Sequence, residues 1–189
     1  YKYIKYKNNQ IYLVLSNCYK RIVNMFFKDF VPEKAEDFII NKCIVDRINK
    51  EKGLLNSIIY GANGVGKFTL ARMMVRKNIN WIPLNIRNIS FLDNKMNSSN
   101  YHFEIFVNQY NYKDKTSSFI KTLDEFTGSR NVSTGDNNII IIKNADLLSR
   151  ENILSIKKYS ERQDKFVTFI LTMKTLCKNR NTLNNFFTY

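Results

Sequence analysis

Cysteine and long apolar runs are scarce in this sequence. Its cysteines, Cys18, Cys43 and Cys177, are odd in number, far apart and outside any Cys-x-x-Cys spacing. This pattern argues against a disulfide framework and against a zinc site, and it is typical of a reducing, intracellular compartment. The longest apolar runs, 11–15 and 139–142, fall far short of the roughly 18 to 20 residues that a transmembrane helix needs. We therefore expect a soluble intracellular protein.

Glycine and proline are also few, with six and two in 189 residues. Neither an internal repeat nor a long Ser/Gly linker marks a boundary between domains, so we expect one compact unit. The hydrophobic content of 44% is enough for a single well-buried core. Because the chain begins with Tyr1 rather than Met, we expect it to be part of a longer protein.

Acidic residues are in the minority, with 16 Asp and Glu against 30 Lys and Arg, and the formal net charge is +14. The field of such a chain attracts polyanions, so nucleic acid is the first class of partner to consider and an anionic membrane the second. The alternative is that a genome rich in A and T codons has filled the surface with Lys and Asn. Composition leaves both explanations open.

Apolar strands alternate with amphipathic helices along the chain. The run at 137–142, with four consecutive β-branched isoleucines, is typical of a strand covered on both faces, and Ser149 is placed to cap a helix. This alternation predicts an α/β fold, a three-layer sandwich with a central parallel sheet. The predicted strands are 57–60, 81–89, 101–107, 137–142 and 166–171, and the predicted helices are 68–77, 116–126 and one that begins after Ser149.

A glycine-rich loop stands between the first of these strands and the helix that follows it. In a P-loop, backbone N–H groups surround phosphate oxygens, the helix N-terminus adds a positive dipole, and a lysine adds a cation for the β and γ phosphates. We predict that this loop binds a nucleotide. The predicted cofactor-binding residues are Gly61, Ala62, Asn63, Gly64, Val65, Gly66, Lys67, Phe68 and Thr69.

The loop departs from the strict P-loop pattern at one position. The strict pattern has Ser or Thr directly after the lysine, because that hydroxyl helps to hold magnesium. Here Phe68 follows Lys67, and Thr69 comes one residue late. A helical residue turns by about 100°, so Thr69 cannot simply replace a hydroxyl at position 68. Magnesium binding with Thr69 as a ligand is left open, as is a glycine-rich turn that binds nothing.

The loop resembles that of the AAA+ small subunits of replication factor C, the eukaryotic-type sliding-clamp loader. In that family's non-hydrolysing small subunit the P-loop lysine is also followed by a non-hydroxyl residue and then threonine, as in Gly66-Lys67-Phe68-Thr69. The departure from the strict motif is therefore part of the match. The resemblance implies the AAA+ (RecA-like) form of the P-loop NTPase fold, with ATP or ADP as the cofactor.

Further segments resemble the same family in the same order. They predict an N-terminal extension at 1–25 and an AAA+ nucleotide-binding domain at 26–189, without the family's lid and collar domains. The segments are 29–38, similar to the motif that lies against the adenine; 99–104, Ser-Asn-Tyr-His-Phe-Glu; 139–148, similar to the Walker B strand; 153–162, similar to a helix with two basic residues and a glutamate; and 169–172, similar to the sensor 1 strand.

The catalytic positions that the resemblance identifies are altered. Where active clamp-loader ATPases have an Asp-Glu-Ala-Asp box, this chain has Lys143, Asn144, Ala145 and Asp146. A lysine reverses the charge of a magnesium-supporting carboxylate, and asparagine cannot accept a proton from water. The sensor 1 asparagine position aligns with Lys174, and the arginine-finger motif falls on Asn185, Phe186 and Phe187, where no arginine stands. We therefore predict no catalytic residue in this chain and no ATP hydrolysis by the chain alone.

Two lysines and the single histidine have alternative roles. Lys143 and Lys174 either neutralise nucleotide phosphates without a metal, or Lys143 pairs with Asp146 and has no ligand role, which is the interpretation we prefer. For His102 we expect a structural role in its strand, because no acidic or hydroxyl partner at triad spacing is visible.

The resemblance implies a largely non-catalytic clamp-loader subunit that binds ATP or ADP. Its implied partners are other AAA+ subunits, a sliding clamp and primer-template DNA, and its implied location is the nucleus or a viral replication site. Arg150, Lys157 and Lys158 are the candidate DNA-binding residues, against the alternative of an ordinary solvated helix face. The alternatives in function are an active P-loop NTPase that uses Asp146, and an interaction module that has lost nucleotide binding.

Overall fold

The computed structural model describes residues 5–7, 10–12, 32, 34–38, 42–92, 94–109, 115–128, 138–162 and 166–175. The chain divides into two compact units, 1–33 and 34–189. In the first unit, β1 (Lys5–Lys7) and β2 (Gln10–Tyr12) form an antiparallel pair. Residues 29–31 and 33 of the segment predicted to lie against the adenine, and the arginine-finger segment at 185–187, lie outside the described residues.

The second unit carries the predicted alternation of strands and helices. It also contains short 3-10 helices at Ala35–Asp37, Val107–Gln109 and Ala145–Leu147. Its other elements are α1 (Lys42–Lys50), β3 (Ser57–Tyr60), α2 (Lys67–Asn78), β4 (Arg87–Phe91), β5 (Asn94–Ser98), β6 (His102–Phe106), α3 (Lys115–Thr127), β7 (Asn138–Lys143), α4 (Arg150–Glu161) and β8 (Val167–Met173).

Six strands form one sheet in the order β3-β8-β7-β6-β5-β4. The four adjacent strands β3, β8, β7 and β6 are parallel, whereas β4 and β5 run antiparallel to their neighbours. The central strands are therefore parallel as predicted, and the two strands at one edge make the sheet mixed. The reason is the two-residue connection between β4 and β5, which is long enough for a hairpin but too short for the crossover that parallel strands require.

Helices cover both faces of this sheet, which confirms the predicted α/β fold. Side chains of β7 alternate between the faces, so Ile140 and Ile142 pack with α3 and α4, while Ile139 and Ile141 pack with α1 and α2. These isoleucines are at most 3% exposed, and burying each contributes roughly 2 kcal/mol of hydrophobic free energy. The continuous β-branched run is thus explained by burial on both faces.

Most predicted element bounds are confirmed within one or two residues. Ser149 caps α4 as expected, since its side chain accepts a hydrogen bond from the backbone N–H of Asn152 at 3.2 Å. Strand β5 was not predicted, because its sequence, Asn-Lys-Met-Asn-Ser, offers one apolar side chain, Met96, to the core. Its neighbour β4 occupies only the end of the predicted strand at 81–89 and then continues to Phe91.

Among the described residues, no helix combines the length and the apolar composition that crossing a membrane would require.

Candidate functional site

The predicted site segments meet at one edge of the sheet. In the strand register Tyr60 pairs with Met173, and Lys143 pairs with both Phe106 and Thr172. The loop after β3, the segment at the end of β7 that resembles Walker B, and Lys174 after β8 therefore follow the carboxyl ends of neighbouring parallel strands. This is the edge at which open α/β sheets bind their ligands.

The loop has a backbone that glycine makes possible. Gly64 and Gly66 both have φ of 82°, a left-handed conformation that costs a side-chain-bearing residue about 1–2 kcal/mol. Gly66 is the N-cap of α2, so the loop runs directly into a helix N-terminus. The arrangement presents backbone N–H groups and the positive end of a helix dipole, and both favour a phosphate group.

Lys67 is held by its own loop. Its ammonium Nζ donates hydrogen bonds to the backbone carbonyls of Gly61 at 2.8 Å and Ala62 at 2.7 Å. The side chain therefore folds back over the loop and places its charge beside the first two loop residues. A phosphate that binds there competes with two carbonyl oxygens for this ammonium.

Phe68 and Lys143, the residues predicted to replace two magnesium-binding oxygens, lie against each other. The Nζ of Lys143 is 4.9 Å from the centroid of the Phe68 ring and 5.5 Å from that of Phe106. The two rings are themselves 5.7 Å apart and tilted by 54°. This geometry is a cation–π contact with two ring faces. Lys143 thus does not form the predicted ion pair with Asp146.

Asp146 forms a hydrogen bond with the segment that follows β8. Its Oδ1 accepts a hydrogen bond from the backbone N–H of Lys174 at 3.1 Å, which joins the segment after β7 to the segment after β8. The side-chain amide of Asn144 donates to Oδ1 of Asn108 at 3.2 Å. Asn144 offers no general base to a water molecule, because an amide oxygen is not basic, and one carboxylate oxygen of Asp146 is bonded to a backbone donor.

A buried polar cluster lies beside the loop helix. Glu104 of β6 is 0% exposed and accepts two hydrogen bonds from Arg72 of α2, at 2.6 Å from Nε and 2.8 Å from Nη2. Asn97 of β5 donates to the same carboxylate at 2.8 Å, and His102 Nε2 lies 3.0 Å from Oε1. Burial alone raises the pKa of Glu104, but the hydrogen bonds from Arg72 and His102, the charge of Arg72 and the Asn97 amide outweigh it. The pKa of Glu104 is lowered to about 2.

His102 has a hydroxyl and an acidic partner that residue spacing did not reveal. Its Nδ1 is 2.5 Å from Ser99 Oγ, and its Nε2 faces Glu104. The role is nevertheless structural: His102 is 1% exposed, and Ser99 Oγ accepts the backbone N–H groups of Tyr101 and His102. Ser99 therefore holds the backbone of the turn that leads into β6.

Arg72 connects this cluster to the phosphate loop. Its guanidinium carbon lies 4.6 Å from the Phe68 ring centroid while both of its bonded nitrogens contact Glu104. Sequence reasoning missed this arginine, since nothing in the loop motif marks the residue five positions after the lysine. The alternation of His102 and Glu104 on one face of a strand was the available signal for a polar partner inside the core.

The candidate DNA-binding residues lie on α4. Arg150 and Lys158 are exposed. The Lys157 side chain is 26% exposed, and its Nζ lies 3.8 Å from Oε1 of Glu161, one helical turn away. Arg150 and Lys157 are seven residues apart and so lie near the same face of the helix.

Thr69, the possible magnesium ligand, follows Phe68 on α2 and is half-buried. It lies about 100° around the helix from the Phe68 ring that contacts Lys143.

An apolar cavity is separate from the loop. It has a volume of about 670 Å³ and lies between α1, β3 and α2, and none of its lining residues belongs to 61–69. Ile48, Leu54, Ile58 and Met74 are among its apolar walls. This cavity does not contribute to the phosphate-binding geometry.

No protein-family model and no curated protein matches the chain. Several solved structures are similar to it. A DNA polymerase III gamma subunit-related protein from Thermotoga maritima is 10% identical, with 78% of this chain and 40% of that protein covered and a TM-score of 0.41. PCH-2 from C. elegans is 12% identical, with 93% and 41% covered and a TM-score of 0.43. The P-loop NTPase domain of a sigma-54 transport activator from E. coli is 13% identical, with 72% and 87% covered and a TM-score of 0.38. The chain thus spans about two fifths of the first of these proteins.

Proposed function

We propose that this chain binds ATP or ADP through the loop at 61–69 and does not hydrolyse it. The observation that carries the proposal is the position of the loop, between the carboxyl end of parallel strand β3 and the N-terminus of α2. Left-handed Gly64 and Gly66 and the lysine that follows them complete a phosphate cradle. A nucleotide polyphosphate is the anion that such a cradle fits.

The absence of turnover follows from the residues at the end of β7. Hydrolysis of a phosphoanhydride needs charge neutralisation at the γ phosphate and a group that orients the attacking water. Lys143 lies on the Phe68 and Phe106 rings, and Asn144 bonds to Asn108. Asp146, the carboxylate on which an active NTPase of another family would depend, accepts the backbone N–H of Lys174.

Within this function we further propose that the chain is a non-catalytic subunit in an AAA+ assembly that loads a sliding clamp on primer-template DNA. The support is the resemblance of the loop and of segments 99–104, 139–148 and 169–172 to replication factor C small subunits, together with the net charge of +14. The partners would be other AAA+ subunits, the clamp and DNA. The location would be the nucleus or a viral replication site.

A second candidate is an interaction module that binds no nucleotide. One observation favours it: the Lys67 ammonium is already bonded to the Gly61 and Ala62 carbonyls, so the loop supplies its own partner for the charge. This candidate predicts no binding of ATP or ADP even at high nucleotide concentration.

Calorimetric titration with ATP and with ADP separates the two candidates. We expect binding by the wild type and at least a tenfold loss of affinity in Lys67→Ala, because a hydrogen bond to a charged group contributes about 1.5–3 kcal/mol. Lys121→Ala removes an exposed lysine of α3 and is the matched control, for which we expect unchanged affinity. Wild-type protein that binds neither nucleotide would contradict the proposal and leave the interaction module.

A further inference from the structure

The contact between Phe68 and Lys143 occupies the place of a metal-binding pair. In a P-loop NTPase the hydroxyl directly after the loop lysine and a carboxylate at the end of a neighbouring strand hold magnesium. Phe68 stands at the first position and Lys143 at the second, and the Lys143 Nζ lies 4.9 Å from the Phe68 ring centroid. Both oxygen donors are therefore replaced, one by a ring and the other by a cation.

The remaining residues do not fit magnesium. This ion takes oxygen ligands in octahedral geometry, and a lysine ammonium has no acceptor to offer. The carboxylate of Asp146 accepts a hydrogen bond from Lys174 N–H at 3.1 Å. Within the described ranges no group of three His, Cys, Asp or Glu side chains is placed to hold a metal ion.

The charge of Lys143 is held but not neutralised. Ring faces attract an ammonium through their quadrupole and leave its net charge in place. Among the ion pairs formed by the described residues, none joins Lys143 to a carboxylate. Arg72, which also lies over the Phe68 ring, is instead committed to Glu104 through two hydrogen bonds. Of the two cations that lie over the Phe68 ring, Lys143 is thus the one whose charge a ligand can still bind.

The position of Lys143 suits the outer end of a polyphosphate. Its strand, β7, is separated from β3 by β8 alone, which places the two strand ends about 10 Å apart. Phe68, on which its ammonium lies, directly follows the P-loop lysine. A polyphosphate cradled by the loop would therefore extend from Lys67 toward Lys143.

We propose that Lys143 replaces magnesium in this site, so that the chain takes its nucleotide in the metal-free form. This inference rests on the proposed nucleotide binding and specifies its ligand: free ATP or ADP, not the magnesium complex. The ammonium supplies the positive charge that the metal would supply, at a position fixed by Phe68 and Phe106. Magnesium then competes with the protein for the polyphosphate.

The test is calorimetric titration of ATP in EDTA and in excess magnesium. For the wild type we expect affinity in EDTA to equal or exceed affinity in magnesium. Lys143→Met keeps an apolar side chain against the rings, and we expect it to lose at least tenfold in affinity in EDTA, with Lys143→Gln as a second neutral variant. Lys121→Gln, which removes the charge of an exposed lysine on α3, should behave as the wild type. Thermal unfolding checks that each variant is folded.

A double variant tests the inference from the opposite direction. Phe68→Thr with Lys143→Asp introduces both oxygen donors, and we expect the affinity of this double variant for ATP to be at least tenfold higher in magnesium than in EDTA.

Wild-type affinity that magnesium raises by tenfold or more would overturn the inference. Folded Lys143→Met and Lys143→Gln proteins that bind ATP as the wild type does would also overturn it. If Lys67→Ala loses binding while the Lys143 variants keep it, nucleotide binding stands and the metal replacement fails. If the wild type binds no ATP in either condition, both fail.

Discussion

Arg72 and Glu104, 32 residues apart in the sequence, form a two-pronged ion pair inside the protein, with Nε–Oε1 at 2.6 Å and Nη2–Oε2 at 2.8 Å. Arg72 belongs to the helix that follows the phosphate loop, and Glu104 belongs to the strand beside β7. The pair therefore fixes the orientation of α2 against the sheet. It also holds the guanidinium over the Phe68 ring, 4.6 Å from its centroid.

Removing one partner of this pair should be strongly destabilising. In Arg72→Met the Glu104 carboxylate loses both arginine hydrogen bonds while it stays buried, and such a loss costs about 3–5 kcal/mol. We expect the free energy of unfolding, measured by urea denaturation, to fall by that amount. Lys157→Met breaks an ion pair with Glu161 at 3.8 Å on the surface and should change the free energy of unfolding by less than about 1 kcal/mol. Equal effects of the two variants would contradict this role for the buried pair.

Stability should depend on acid pH through Glu104. Its pKa is about 2 in the folded protein, below the ordinary value of 4.5. A lowered pKa means that the stabilisation is fully present above pH 4.5 and is lost as the pH falls from 4.5 toward 2. Over that window Glu104 contributes a slope of up to about 1.4 kcal/mol per pH unit to the free energy of unfolding. We expect Glu104→Gln, less stable at neutral pH, to show a shallower pH dependence there, and parallel curves would count against the assignment.

Replacing left-handed Gly66 should lower both the stability of the protein and its affinity for ATP, and a control glycine separates the two effects. Gly66→Ala adds a side chain at φ of 82° where no atom lies within 4 Å, so the cost is backbone strain of about 1–2 kcal/mol without a clash. Gly53→Ala is a matched control, because Gly53 has φ of 87°, equally open surroundings and a position before β3. We expect both variants to lose similar stability by thermal unfolding. Only Gly66→Ala should weaken ATP binding in a calorimetric titration; equal weakening in both would argue against a specific role for the loop.

Binding to primer-template DNA should be electrostatic and carried in part by α4. Replacing Arg150, Lys157 and Lys158 by Ala should weaken binding uniformly across sequences, and the slope of log K against log salt should fall by about 1 for each DNA phosphate that the variant no longer neutralises. Fluorescence anisotropy at several salt concentrations measures both quantities. Ala at Lys50, Lys52 and Lys121, three exposed lysines elsewhere in the chain, removes the same charge. If both triple variants reduce the slope equally, net charge accounts for DNA binding and α4 has no special role.

The parts of the fold that the sequence predicts are those governed by burial and by local backbone chemistry. The isoleucines at 139–142 predict a doubly covered strand, and the glycines before Lys67 predict the loop at the end of β3. Strand β5 was missed because its place in the sheet depends on the hairpin with β4 and on pairing with β6. Its own sequence has little apolar periodicity.

The contacts within the site were less predictable than its location. Lys143 was expected to pair with nearby Asp146, yet its ammonium lies on rings contributed by α2 and β6, elements far away in the sequence. Arg72 reaches Glu104 only because α2 packs on the face of the sheet that bears that side chain. Such contacts depend on tertiary packing, which residue spacing within a segment does not encode.

The most direct test of nucleotide binding without hydrolysis is a single-turnover measurement with the protein in excess over radiolabelled ATP. Nucleotide retained with the protein on a filter is eluted after increasing times and separated into ATP and ADP. We expect the label to be retained and to remain ATP throughout. Conversion of the retained label to ADP would contradict the absence of hydrolysis, and failure to retain label would contradict nucleotide binding itself.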